Sequence, residues 1–281
     1  MSDSAPPQGA ESGRRSYDLV TELADYPAWD GQPIRTVLLC SHPRSGSTLL
    51  GEAIYSAGGL GCPVEYLHRG FRPTFAKRWQ ASSLPAYLEA LYRWRTDPSG
   101  VLSSKVFWRD LEETAEENRP GSKAEDIVAA VFQNPVFIYL RRRDRIRQAV
   151  SAFVAKETGA FRSLGGEGDG RSGEVAYSYV GILGQLAVSD YSHSRWQRFF
   201  QDRGIAPWQV EYEDLVNDYY GAVEGVLSFL CTALARPRSS VTAPIRPRLQ
   251  RQADARSEAF VARFLRDHGR CDRTAGDATP R

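Results

Sequence analysis

Three observations predict an α/β fold built on a mainly parallel sheet. Short apolar runs rich in β-branched residues alternate with longer stretches of helical periodicity. The runs are nearly continuous rather than alternating in polarity, as expected of strands covered on both faces. A small-residue loop follows one run and a basic cluster follows another, at the strand ends where such sheets bind ligands.

The strands and helices can be read in order. Residues 1–33 are rich in Ser, Pro, Gly and charge and read as a flexible arm, with the folded domain over 34–268 and a disordered tail over 269–281. Ile34 to Cys40 reads as a buried strand, and Leu84 to Arg95 carries helical spacing through Leu84, Tyr87, Leu88, Leu91 and Tyr92. Val101 to Phe107 is a second strand. Asp126 to Phe132 ends a helix before Asn134-Pro135, and Val136 to Leu140 is the third strand. Helices follow at Arg145 to Glu157, Glu174 to Gln201, Gly221 to Leu234 and Ser257 to Leu265, with a short strand at Trp208 to Tyr212. The Gly-rich stretch Arg162 to Gly173 reads as a loop, either a plain connector or a lid.

Composition narrows the function. The 281 residues are 42% hydrophobic and 25% charged, which excludes a disordered, collagen-like or disulfide-stapled chain. A net charge of +2 is too balanced for wholesale nucleic-acid binding. No apolar run is long enough to span a membrane, and the expectation is a cytoplasmic protein. Cys40, Cys62, Cys231 and Cys271 form no CxxC pair, and the four histidines have no ligand spacing, so thiols are expected reduced and no metal is expected.

The loop after the first strand reads Cys40-Ser41-His42-Pro43-Arg44-Ser45-Gly46-Ser47-Thr48 and opens into an apolar helix. Small residues let backbone N–H groups turn inward, hydroxyls add donors, and the helix N-terminus adds positive potential. An anion such as phosphate is the natural ligand. A triphosphate-binding loop of the form GxxxxGK[ST] would place Gly at Ser41 and Lys at Ser47, and no strand ends in a metal-binding Asp. A nucleotide handled without Mg²⁺ fits better than ATP. After the third strand come Arg141, Arg142, Arg143, Arg145 and Arg147, then Ser151 on the following helix. Arginine forks suit a second, separate phosphate.

These segments, together with PVEY at 63–66, SSKVFW at 103–108, YEDL at 212–215 and RQADARS at 251–257, resemble the Stf0 family of sulfotransferases. The resemblance extends over roughly residues 34 to 265. It implies a P-loop-like three-layer fold of sulfotransferase type and use of 3′-phosphoadenosine 5′-phosphosulfate (PAPS), which leaves as the 3′,5′-bisphosphate PAP. Arg44, Ser45, Gly46, Ser47 and Thr48 would hold the 5′-phosphosulfate, and Arg142 or Arg143 with Ser151 the 3′-phosphate. Arg251 would close over the nucleotide or is an exposed charge. Glu65 matches the family's proton acceptor, with Pro63, Tyr66 and His68 beside the acceptor. Lys105 matches a family lysine and either assists or is a solvated strand end. The resemblance also suggests a homodimer.

The acceptor side departs from the pattern. Where the trehalose-sulfating type carries Gln before the loop arginine, this chain has Pro43, and Leu67 to Trp79 is basic and aromatic. A hydroxylated acceptor different from trehalose, such as a glycosylated or otherwise hydroxyl-bearing metabolite, is therefore expected, with Arg69, Arg72, Lys77 and Arg78 suiting an anionic or planar one. The alternative is that 67–79 is a solvated amphipathic connector. Two other classes remain open: a small-molecule kinase with a degenerate loop, and a non-catalytic nucleotide- or polyanion-binding protein.

Overall fold

In the computed structural model, which describes residues 19–159, 175–243 and 255–276, four strands form one parallel sheet. β1 (Arg35–Ser41), β2 (Val101–Phe107), β3 (Pro135–Arg141) and β4 (Trp208–Glu211) lie in the order β2-β1-β3-β4. Ser41 pairs with Phe107 and Arg141 with Glu211, so the four strands end together along one rim.

Side chains of a strand alternate between faces, and here both faces are covered. Val37, Leu39, Ile138 and Leu140 pack with α1 (Ser47–Ala57) and α9 (Tyr219–Ala233) through Leu50, Ile54, Val223 and Leu227. Leu38, Cys40, Phe137 and Tyr139 pack on the other side with α4 (Trp108–Asn118), α5 (Ala124–Val131) and α7 (Tyr179–Asp202). Trp108 meets Trp196 there edge-on at 5.0 Å between ring centroids. This three-layer burial is the reason the strand sequences are apolar at successive positions.

Two further clusters flank the sheet. α2 (Arg72–Arg78) and α3 (Leu84–Arg95) enclose Tyr66, Phe75 and Leu91, and the segment from Leu19 packs onto them. α6 (Arg145–Thr158) is joined to α7 and to α10 (Ala255–Gly276) through Val150, Phe153, Ile182 and Phe264. α8 (Tyr212–Asn217) completes the order between β4 and α9.

Several boundaries differ from the sequence reading. The arm expected over 1–33 is packed from Leu19 onward, with a 3-10 turn at Glu22–Ala24 held by Arg95, whose Nη1 donates to Ala24 O and Nη2 to Thr21 O. α7 begins at Tyr179 rather than near Glu174, because Ser178 caps it by accepting from Gly181 N at 3.0 Å. The last strand stops at Glu211, where Tyr212 enters α8. α10 continues to Gly276, beyond Gly269 where the fold was expected to end. The loop at 162–173 and Arg251 lie outside the described residues. Cys40, Cys62 and Cys231 are buried free thiols. Among the described residues no helix is long and apolar enough to cross a membrane.

Candidate active site

The loop between β1 and α1 is built by its own polar residues. Ser41 Oγ donates to Leu140 O at 2.9 Å, which ties the end of β1 to β3. Ser45 is fully buried and its hydroxyl donates to His42 O, so this side chain shapes the loop from within. Arg44 and Gly46 both adopt left-handed backbone, φ 66° and 85°. Gly46 is the N-cap of α1, and the first N–H groups of that eleven-residue helix, from Ser47 and Thr48 on, lie at the rim of the sheet.

Lys105, on β2, connects this loop to the expected base. Its Nζ donates to Thr48 Oγ1 at 3.0 Å and pairs with Glu65 Oε1 at 2.8 Å, and it is 4% exposed. It is therefore no solvated strand end. Glu65 reaches this position because Val64 bridges Ser104 beside β2, with Lys105 N donating to Val64 O at 3.0 Å. The Glu65 side chain is 12% exposed.

The arginine cluster divides. Arg141 pairs with Glu211, Arg143 with Asp214, Arg145 with Asp190 and Arg147 with Asp144 and Glu258. Arg142 turns instead toward the loop: Nη1 donates to Arg44 O at 3.3 Å and its guanidinium lies 4.7 Å from the centre of the Tyr212 ring. Arg44 Nε donates to Ser151 Oγ at 2.9 Å. Arg44, Arg142 and Ser151 thus converge, while Arg143 is directed elsewhere. Burial, and then the Arg142 charge, lower the pKa of Arg44. Two guanidinium groups held this close favour an anion beside them. The pairing also breaks up the continuous basic face that a polyanion-binding protein would need.

A family model, Stf0 sulphotransferase, matches residues 36–267. The chain belongs to this family. Among curated relatives, trehalose 2-sulfotransferases of Mycobacterium tuberculosis and Mycolicibacterium smegmatis are 27% and 28% identical to it, over 82% of this chain and 94% of theirs. Solved structures with similarity include the sulfotransferase domain of the Synechococcus PCC 7002 olefin synthase (16% identity, TM-score 0.41, 85% of this chain and 98% of that one). A mouse sulfotransferase complexed with PAP aligns at 13% identity and TM-score 0.38, over 85% of this chain and 65% of that one.

On the acceptor side of this Stf0 protein the structure buries two of the residues expected beside the acceptor. Tyr66 is fully buried, its hydroxyl donates to Cys62 O at 2.7 Å, and it packs on Phe75, so it belongs to the core rather than to an acceptor surface. Pro63 is likewise buried. His68 is half-buried, with Nδ1 accepting from Gly70 N. Arg69 and Arg72 pair with Glu113 and Glu117 of α4, and Arg78 pairs with Asp25. These three charges are met within the fold, and Lys77 lies on α2 beside Arg78.

Two residues of the site escaped the sequence reading. Tyr212, in the YEDL segment, lines Gly46 and carries Arg142 on its ring. Asp110, 4% exposed in the first turn of α4, has its carboxyl pKa pushed well up by burial and by the nearby Glu65 and Glu113 charges. The YEDL segment was itself a signal for Tyr212. Asp110 had none, since the fold alone brings it near Glu65.

Proposed function

We propose that the protein transfers a sulfuryl group from PAPS to a hydroxyl of a sugar or a glycosylated metabolite, releasing PAP. The observation that carries this reading is Lys105 spanning Thr48 of the anion loop and Glu65. One ammonium group fixes the distance between a carboxylate base and a phosphate cradle, which an in-line transfer needs. That the mycobacterial relatives are trehalose 2-sulfotransferases supports a sugar hydroxyl as acceptor.

The residues fit the donor. Thr48, the N–H groups opening α1 and Arg44 suit the 5′ end, and Arg142 with Ser151 suits the 3′-phosphate. Bound there, PAPS supplies the sulfuryl group and a phosphate as leaving group. Glu65 accepts the acceptor's hydroxyl proton as the new O–S bond forms and the S–O bond to phosphate breaks. Lys105, Arg44 and the α1 N-terminus stabilise the charge that develops on the departing phosphate.

The test combines ligand binding with one substitution. PAP at a hundred times its Kd adds about 2.7 kcal/mol, a rise of roughly 5–11 °C in Tm for a domain of this size. The rise is expected with EDTA present and not with ATP·Mg²⁺. Glu65→Gln is expected to lower kcat by about 10²–10⁴-fold while PAP affinity stays unchanged. A melting shift with ATP·Mg²⁺ alone points to a kinase, and full turnover in the Gln variant removes Glu65 as base.

A further inference from the structure

Pro43 supplies no side-chain hydrogen bond, yet its backbone is tethered to a helix far along the chain. Gln148 of α6 is fully buried, and its Nε2 donates to Pro43 O at 2.9 Å. Ser189 of α7 donates to Gln148 Oε1 at 3.3 Å. Arg145 Nη2 in turn donates to Ser189 Oγ at 3.0 Å and to Asp190 Oδ1 at 2.6 Å.

The direction of each proton in this chain is fixed. A carbonyl can only accept, so the Gln148 amide must present N–H to Pro43 and its oxygen to Ser189. A guanidinium can only donate, so Ser189 must give its own proton to Gln148. The amide therefore has one satisfied orientation. A trans peptide points its C=O and N–H in opposite directions. Holding Pro43 O toward α6 thus turns the N–H of Arg44 away from α6. Arg44 follows at φ 66°, a strained backbone state for a non-glycine residue. Such a conformation persists only where its surroundings over-determine it.

We propose that Gln148, locked by Ser189 and Arg145, is a positioning residue that sets the loop in its 5′-phosphate-binding shape. The inference rests on the donor reading given above. It concerns the 5′ end first, because the 3′-phosphate is assigned to Arg142 and Ser151, which meet the loop through Arg44.

The experiment compares two ligands on one variant by titration calorimetry. Gln148→Met keeps the length of the side chain and removes both hydrogen bonds. It is expected to weaken adenosine 3′,5′-bisphosphate by about 5- to 50-fold and adenosine 3′-monophosphate by a clearly smaller factor, since Arg142 and Ser151 meet the loop only through Arg44. Ser189→Ala, which frees the amide without removing it, is expected to give the same contrast at a smaller ratio, and serves if the Met variant does not fold. Equal loss for both ligands, or a lowered Tm with both affinities intact, reduces Gln148 to a packing residue and overturns the proposal. Failure of the unsubstituted protein to bind the bisphosphate at all overturns the donor reading and this inference together.

Discussion

At Gly46 the backbone sits at φ 85°, and a Cβ there would lie 2.7 Å from Cδ2 of Tyr212. Alanine at this position meets two penalties, left-handed strain of about 1–2 kcal/mol and displacement of the ring under Arg142. Gly204 separates them, since it has φ 62° with nothing within 4 Å of an added Cβ. Gly204→Ala is expected to lower stability alone. Gly46→Ala is expected to lower stability and also weaken PAP by about 10-fold or more, since about 1.4 kcal/mol lost at the Arg142 contact is a tenfold change. Urea unfolding paired with calorimetry reads both quantities. Equal PAP affinity in the two variants would remove Tyr212 from the site.

Among the elements, those bounded by local chemistry were legible and those bounded by tertiary contact were not. α3 was read to its correct ends because Ser83 caps it, accepting from Ala86 N, and Asp97-Pro98 follows it. β1, β2 and β3 were legible because both faces are covered. α4 was missed: it continues from β2 without Gly or Pro, its cap Phe107 offers no side-chain bond, and its buried apolar stripe is only Trp108, Leu111 and Ala115. α8 starts from β4 in the same silent way. In the site, the loop and the arginine cluster were legible because their chemistry is contiguous, whereas Gln148 meets Pro43 across 105 residues of chain. The same distinction makes α3 a test of tertiary anchoring. Arg95 is fully buried, pairs with Asp25 at 2.9 Å, donates to Cys62 Sγ, and stacks against Tyr66 and Phe75. Arg95→Leu leaves Asp25 with Arg78 alone and is expected to cost about 3–5 kcal/mol in urea unfolding. A cost under about 1 kcal/mol would show that the segment from Leu19 is held by its apolar contacts.

Across the whole molecule, stability is linked to pH through two buried imidazoles, one in the loop after β1 and one on α7. His42 follows β1, His193 projects from α7, and their rings lie 6.1 Å apart. His193 Nδ1 meets Tyr139 Oη at 2.8 Å. Burial and the Arg145 charge lower the His42 pKa to about 4. Burial, then Arg145, His42 and Arg141, lower that of His193 to about 3. Unfolded, both titrate near 6.5. Between pH 6.5 and about 4 the unfolded chain therefore binds more protons than the folded one, and stability falls as pH falls. Each imidazole contributes a slope of up to about 1.4 kcal/mol per pH unit in that window. Asp110 and Asp25, whose carboxyl pKa values are raised, act in the opposite sense. The useful quantity is thus the difference between proteins rather than one curve. A His42→Gln, His193→Gln double variant, unfolded in urea at pH 6.5, 5.5 and 4.5, is expected to lose less stability on acidification than the parent. Parallel curves would mean that the two rings take up protons in the folded protein as readily as in the unfolded chain, which their burial against Arg145 opposes.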